Sequence, residues 1–322
     1  MNAHVLVRRL AAVALCVLVP PLAHAQAQAW PSRPVRLVIP FAAGAGTDVV
    51  ARTVSNKAAE LLGQPVVAEN RAGANGNLGA EAAARSPADG YTIAILSTIH
   101  AANQSFFRKL GYSMANDFVP VVELGVSPTV WVVRADLPVD GIDALARYAK
   151  ANPGKLTYGS GGAQHPAELF KALTGADITV VPYKGVSAAL QDLLAGRVDM
   201  TVAGLLDTSA HIKAGKLRAL ATTNTTRLPQ FPDAPAMAEG LPGYDFTLWY
   251  GLFAPTGTPA EAQARLRTAV QAALQAPDVL ARFEALSLRP AKSSQAEFGA
   301  RVKAEIARWA DTVKKAKIEL QD

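Results

Sequence analysis

Val35-Arg36-Leu37-Val38-Ile39-Pro40-Phe41-Ala42-Ala43-Gly44-Ala45-Gly46-Thr47-Asp48 reads as a buried strand, a glycine-bearing turn and the start of a helix running to about Leu62. Val50, Val54, Ala58 and Leu61 follow with the 3.6-residue period, and Gly63 is the stop. Such a turn delivers free backbone N–H groups and the positive end of a helix dipole to one point, which suits an anion.

The same unit recurs outward from there. Residues 65–68 restart as a strand, and Glu69-Asn70-Arg71-Ala72-Gly73-Ala74-Asn75-Gly76-Asn77 is a polar loop whose glycines serve positive φ, a structural role. A short helix over 78–85 leads through Asp89-Gly90 to a strand over 91–96. Apolar runs at 118–124 and 129–133 are further strands. Strand–helix alternation continues from Asp140, read as a helix cap, to a strand over 217–222. Prolines crowd 229–242, 249–254 is a last strand, and three helices close the chain. The last opens on the capping box Ser294-x-x-Glu297 and carries Phe298, Val302, Trp309 and Val313 on one face.

The 322 residues suffice for a large core in two lobes, and the net charge of +6 is dispersed, without the basic block that nucleic acid would call for. At the N-terminus, Arg8 and Arg9 precede an apolar run over 10–19, and Ala23-His24-Ala25 offers a small-x-small cleavage site. This is the pattern of a secretory signal peptide, too short to span a bilayer. Cleavage after about Ala25 would remove Cys16, the single cysteine, and two of the 32 Lys/Arg residues. The mature chain would then be exported, with charge +4 and no thiol chemistry.

Seven motifs occur in order. They are Trp30-Pro31-x-x-Pro34-Val35-Arg36; Pro40-Phe41-x-x-Gly44-x-Gly46-Thr47-Asp48; Glu69-Asn70-Arg71-x-Gly73; Asp89-Gly90-Tyr91-Thr92; Val181-Pro182-Tyr183-Lys184-Gly185; Ile212-Lys213-Ala214-Gly215-Lys216-Leu217-Arg218-Ala219-Leu220; and Leu252-Phe253-Ala254-Pro255-x-Gly257-Thr258-Pro259. With them the chain resembles the Bug family, the substrate-binding proteins of tripartite tricarboxylate transporters, over essentially everything after the signal peptide. The resemblance implies an α/β periplasmic-binding-protein fold of type II character: two lobes, a central cleft and crossing hinge strands that let the lobes close. It implies a small carboxylic acid ligand, integral-membrane permease subunits as partners, a periplasmic monomer, and no cofactor or metal. Crossings near Gly125 and over 222–228 divide the chain into a first lobe of 26–125 plus 228–322 and a second of 126–227.

Three loops are candidates for the site. In the first, Phe41, Ala42, Gly44, Ala45, Gly46, Thr47 and Asp48 match the family's first ligand loop. The N–H groups of residues 44–47 are expected to face a carboxylate, and alanines 42 and 43 keep donors where relatives carry prolines. The second follows the strand over 91–96, where Ser97, Thr98, His100 and Asn103 lie at the carboxyl end of a parallel strand. The third, with Ser160, Gly162, Gln164 and His165, is shorter than in relatives, and Pro166 replaces a usual leucine. Lys184 adds long-range attraction to an anion. Gly204 stands where many relatives place an aspartate, so a ligand without a cationic amine is expected.

Enzymatic readings are weaker. Gly44-x-Gly46 lacks the third glycine of a dinucleotide motif, and no phosphate-binding lysine follows. Gly185-Val186-Ser187-Ala188-Ala189 loosely resembles a nucleophile elbow, with His211 as its sole downstream histidine, but Ser187 reads better as a helix cap. His165-x-x-Glu168 lacks further metal ligands. A sensor that presents its ligand state to a signalling protein would use the same cleft and stays open as an alternative to transport.

Overall fold

The computed structural model describes residues 30–321 except 162, 184, 229, 230 and 316. The proposed signal peptide and cleavage site, Gly162 and Lys184 therefore lie outside the described residues. The chain begins β1 (Val35–Ile39), α1 (Gly46–Leu62), β2 (Val66–Asn70), a short 3-10 turn (Ala74–Gly76), α2 (Asn77–Ala84), β3 (Thr92–Ser97) and α3 (Thr98–Phe106). It continues β4 (Phe118–Ser127), β5 (Thr129–Arg134), α4 (Ile142–Ala151), β6 (Leu156–Ser160), α5 (His165–Thr174), β7 (Ile178–Pro182), α6 (Val186–Leu194), β8 (Met200–Gly204), α7 (Leu205–Lys213) and β9 (Leu217–Thr222). It closes with α8 (Met237–Gly240), β10 (Leu248–Pro255), α9 (Ala260–Ala273), α10 (Pro277–Ala285), β11 (Arg289–Pro290) and α11 (Gln295–Lys315).

The strands form two sheets, one per lobe. The first has the order β11-β4-β10-β3-β1-β2, the second β7-β6-β8-β5-β9. In the first, β1 is central to a parallel trio with β2 and β3, and β10 joins antiparallel to both β3 and β4. In the second, β6 runs parallel to β7 and β8, and β5 lies antiparallel between β8 and β9. Val35, Leu37, Val38 and Ile39 are all fully buried because helices or loops cover both faces of a parallel strand.

The chain crosses between sheets at the β4–β5 junction and returns over 223–247. That return is longer than the 222–228 expected from sequence. Leu228 packs with Val130 and Leu217 of the second lobe, while Met237, Tyr244 and Phe246 join the core around Trp131 and Tyr158. Apolar residues between the prolines hold the segment to the second sheet.

Two helices belong to both lobes. On α11, Phe298 and Val302 pack with Trp249 and Phe253 under the first sheet, whereas Trp309 and Val313 join the second lobe's core. On α3, Ala101 takes the first side and Phe106 the second. The predicted capping box opens α11: Ser294 N–H donates to the Glu297 carboxylate over 2.8 Å, and Glu297 N–H donates back to Ser294 Oγ over 3.2 Å. Buried Glu123 on β4 accepts Arg301 Nη1 at 2.6 Å and Ser293 Oγ at 2.7 Å, fixing the first half of the helix. Other caps differ from expectation. Gly141, not Asp140, precedes α4, and Gly185, not Ser187, caps α6.

Candidate functional site

The loops after β1 and β3 leave the same end of the first sheet, and those after β6, β7 and β8 the same end of the second, because each set of strands is parallel. In open α/β sheets ligands gather at such carboxyl ends.

In the turn after β1, Gly44 sits at φ +80°, a left-handed conformation that glycine adopts without a steric cost. Its N–H donates to Asp48 Oδ2 over 2.9 Å, and the Ala45 N–H donates to the Ala42 carbonyl over 3.2 Å. Gly44 and Ala45 thus spend their donors inside the turn, contrary to the sequence expectation. The reason is Asp48 itself, an anion on the first helical turn that captures the nearest N–H. Among the described residues the N–H groups of Phe41, Ala42 and Ala43, and those of Gly46, Thr47 and Asp48 in the first turn of α1, have no backbone acceptor. Ala42 and Gly46 are exposed and Phe41 is half-buried, so the turn is open to an incoming group.

Asp48 is buried and braces the turn. Its Oδ1 accepts Arg52 Nε at 2.9 Å and Asn70 Nδ2 at 2.8 Å, and the same Asn70 amide nitrogen donates to the Phe41 carbonyl over 3.0 Å. Burial alone pushes this carboxyl up, but the bonds from Gly44, Asn70 and Arg52 outweigh it and hold it below its ordinary value. Asn70, from the loop read as structural, therefore does structural work directly under the turn.

The second loop is an internal framework. Ser97, Thr98, His100 and Asn103 are all fully buried. Ser97 N–H donates to His100 Nδ1 over 3.1 Å, as in a capping box, so the ring proton sits on Nε2. That Nε2–H faces the Gly76 backbone without a well-aligned acceptor. A Cβ on Gly76, at φ +86°, would stand 2.8 Å from His100 Nε2, so glycine is required there. Thr98 Oγ1 donates to the Thr247 carbonyl over 2.7 Å and accepts the Trp249 N–H at 3.0 Å, pinning α3 to β10. Asn103 donates to Asn77 Oδ1 over 2.7 Å and to the Asn75 carbonyl over 3.1 Å. These side chains hold up the loop bearing Gly76 and the Phe41 ring that packs edge-on against His100.

The third loop is held differently. Ser160 is buried, and its carbonyl accepts the Tyr183 N–H at 2.9 Å. Gln164 is half-buried and precedes α5 without capping it by its side chain. His165 is fully buried, edge-on to Phe106 at 4.6 Å and tilted against Trp309 at 5.8 Å, and among the described residues neither ring nitrogen has a hydrogen-bond partner. Burial drives both histidines down to about 3, so each is neutral near pH 7.

Two residues at the site had not been singled out in the sequence. Tyr250 on β10 brings its phenol to the α1 N-terminus: the oxygen lies 3.6 Å from where a Gly46 Cβ would stand. Burial pushes this phenol well up, with the Asp207 charge adding to the rise. Asp207, in the first turn of α7, has Oδ2 3.3 Å from the Cβ position of Gly204. The bare backbone at Gly204 thus lies beside a carboxylate supplied from the next helical turn. Tyr250 was concealed in an apolar strand, and Asp207 in a helix pattern that gave no sign of its facing.

A crevice of about 500 Å³ between the far end of α5 and the C-terminal tail is lined by Glu168, Lys171, Lys317 and Gln321. None of the turn residues lines it, and its Lys171 pairs with Glu168 at 3.2 Å. Among the described residues no group of three His, Cys, Asp or Glu gathers as a metal site, and no helix is long and apolar enough to cross a membrane.

Residues 50–318 match the model of the tripartite tricarboxylate transporter family receptor. The chain belongs to this family. It is 36% identical to BugT of Bordetella pertussis over 306 residues, 93% of this chain and 94% of that protein. Among solved structures, an R. palustris protein with adipate shares 38% identity at a TM-score of 0.81, covering 91% of this chain and 100% of that one. MatC from Rhodopseudomonas palustris with bound malate shares 35% at a TM-score of 0.81 over 88% and 100% of the two chains, and the periplasmic binding protein BugD shares 33% at 0.82 over 91% and 100%. The resemblance carried by the seven motifs thus holds, as does the two-lobed fold. Family members are periplasmic solute-binding proteins rather than enzymes, which leaves Ser187 an exposed residue of α6 with no nucleophilic role.

Proposed function

We propose that the mature protein captures a small carboxylic acid between its lobes in the periplasm and, as a monomer, delivers it to the permease subunits of a tripartite tricarboxylate-type transporter. The observation that carries this reading is the exposed N-terminus of α1. There the N–H groups of Gly46, Thr47 and Asp48 have no backbone acceptor, the Asp48 network fixes the turn, and the Tyr250 phenol stands alongside. The dipole of this helix adds about 0.3–2 kcal/mol for an anion at its first turn. Each charge-assisted hydrogen bond adds about 1.5–3 kcal/mol, so a few of them approach the roughly 8 kcal/mol of a micromolar complex, less the cost of closure. The relatives solved with adipate and malate support the same ligand class. Ser97, Thr98, His100 and Asn103 then serve as scaffold, and the direct contacts fall to the α1 turn and to the 160–165 loop opposite.

A thermal-shift screen of mono-, di- and tricarboxylates, amino acids and aromatic acids, with neutral sugars as controls, tests this. A ligand at a hundred times its Kd stabilises by about 2.7 kcal/mol, well within detection. Stabilisation by sugars and by no acid would overturn the carboxylate reading.

A further inference from the structure

β10 runs antiparallel beside β3, and the register sets Tyr250 opposite Ser97, the last residue of β3. Tyr250 therefore stands at the carboxyl end of the parallel strands, the end from which the turn after β1 departs. Strand alternation sends its side chain, with those of Leu252 and Ala254, into the core shared with Val50 and Val54 of α1, while Trp249 and Phe253 take the opposite face. From that position the phenol ends over the first turn of α1. Its oxygen lies 3.6 Å from the Cβ position of Gly46, so it faces bare backbone there.

A phenylalanine would fill the same apolar slot, since Tyr250 is only 5% exposed. Packing does not call for the hydroxyl, and a buried hydroxyl without a partner costs free energy. Thr47, itself 7% exposed, lies beside it, and neither hydroxyl donates to a carbonyl or carboxylate among the described residues. Thr53, within the same helix, does so: its Oγ1 donates to the Val49 carbonyl over 2.7 Å. Two adjacent hydroxyls bring two O–H donors, and a contact between them occupies at most one. The remaining donor meets the N–H groups of Gly46, Thr47 and Asp48 at one point. The Asp48 carboxylate is engaged by Gly44, Arg52 and Asn70, which leaves that point to an incoming group. Burial pushes the phenol's pKa up, so it keeps its proton and serves as a donor near neutral pH.

We propose that Tyr250 is a ligand-contact residue whose phenol donates to the carboxylate seated on the first turn of α1. The sheet thus contributes a side-chain donor from β10 to an anchor otherwise built from the backbone of one helix. This rests on the carboxylate-binding reading above.

The test uses the mature protein, with adipate, malate and the acid giving the largest shift in the screen above as probes. Three side chains at position 250 are compared: the native tyrosine, Tyr250→Phe, and a ring-fluorinated tyrosine, whose more acidic phenol is the stronger donor. All three keep the ring in the core, so the ligand-free thermal midpoints are expected to agree within a few degrees. Calorimetric titration is expected to give affinities rising from phenylalanine through tyrosine to the fluorinated ring, with Tyr250→Phe weaker than wild type by about tenfold or more. A Tyr250→Phe protein that binds these acids as tightly as wild type, or a fluorinated phenol that binds them no tighter, would overturn the contact. A phenol that serves Thr47 alone would show itself as that flat series with a lowered midpoint in Tyr250→Phe. Failure of every screened acid to bind wild type would instead overturn the carboxylate reading itself.

Discussion

The turn after β1 and the turn after β6 both lead from a parallel strand into a helix, yet a buried carboxylate network braces the first. The second combines two bonds to backbone carbonyls, from Tyr183 N–H to Ser160 and from the Tyr158 phenol to Ala163, with apolar packing. Around Asp48, one buried carboxylate ties Gly44, Arg52 and Asn70 together, and Asn70 carries the brace on to Phe41. Around His165, the ring rests on Phe106 and Trp309 with both nitrogens unpaired, and Gly161 lies so close to Val186 that a Cβ would fall 2.5 Å from its Cα. Directional bonds hold atoms at set positions, as a fixed carboxylate anchor requires. Packing tolerates changes of length and shape.

Acid pH is expected to separate the two turns most strongly. Both buried histidines have folded-state values of about 3 against 6.5 unfolded, so the unfolded chain binds more protons as pH falls. Stability should be intact above about pH 6.5 and fall by about 1.4 kcal/mol per pH unit per histidine, reaching about 2 kcal/mol each near pH 5. Denaturant titrations of wild type and His165→Leu across this range should differ by one proton's slope. Parallel curves would show that His165 has a proton-accepting partner. Asp48 acts lower: its depressed carboxyl contributes fully above about pH 4 and loses that contribution as pH falls further.

Asp48→Ala comes next in size. It strands the Gly44 N–H and the Asn70 amide, and we expect a loss of about 2–3 kcal/mol, with Arg52 half-exposed and so adding little. Acid binding should weaken with it, and an unchanged thermal midpoint would show that the brace is dispensable. Gly46→Pro is subtler, because proline is well accepted at the first helical position. It should weaken acid binding about ten- to a hundredfold by deleting one donor, with little change in midpoint. Unaltered affinity would move the anchor away from this turn. The smallest effect is that of His165→Leu at neutral pH, where stability should change by less than about 1 kcal/mol because no polar partner is lost. A large loss would reveal a polar contact at the imidazole.

The lobes were legible from periodicity and from Gly and Pro punctuation, because an apolar strand and a 3.6-residue helix pattern are local properties. Ser294, Glu297 and the apolar face of α11 were read correctly for that reason. The two-residue strand β11 was missed, since its pairing with β4 depends on a distant chain segment. Within the site, the α1 turn stood out, but which N–H groups stay free was not legible: that depends on where the Asp48 side chain folds back. His100 and Asn103 looked like ligand contacts because they follow a strand, and only tertiary packing shows them buried beneath Gly76 and Phe41. Tyr250 and Gly46 come together from elements far apart in sequence, a juxtaposition no local pattern encodes.

α11 has a consequence for inheritance as well as for packing. Its first half is held by Glu123 of the first lobe, while Trp309 and Val313 complete the core of the second. At about 1.5–3 kcal/mol per large buried side chain, removing that helix would deprive both lobes at once. Neither lobe is therefore a portable module. Recombination between relatives should yield folded chimaeras where the crossover carries α11 with matched surfaces from both parents, and point substitution within the turns is the easier route by which such a chain acquires a new ligand.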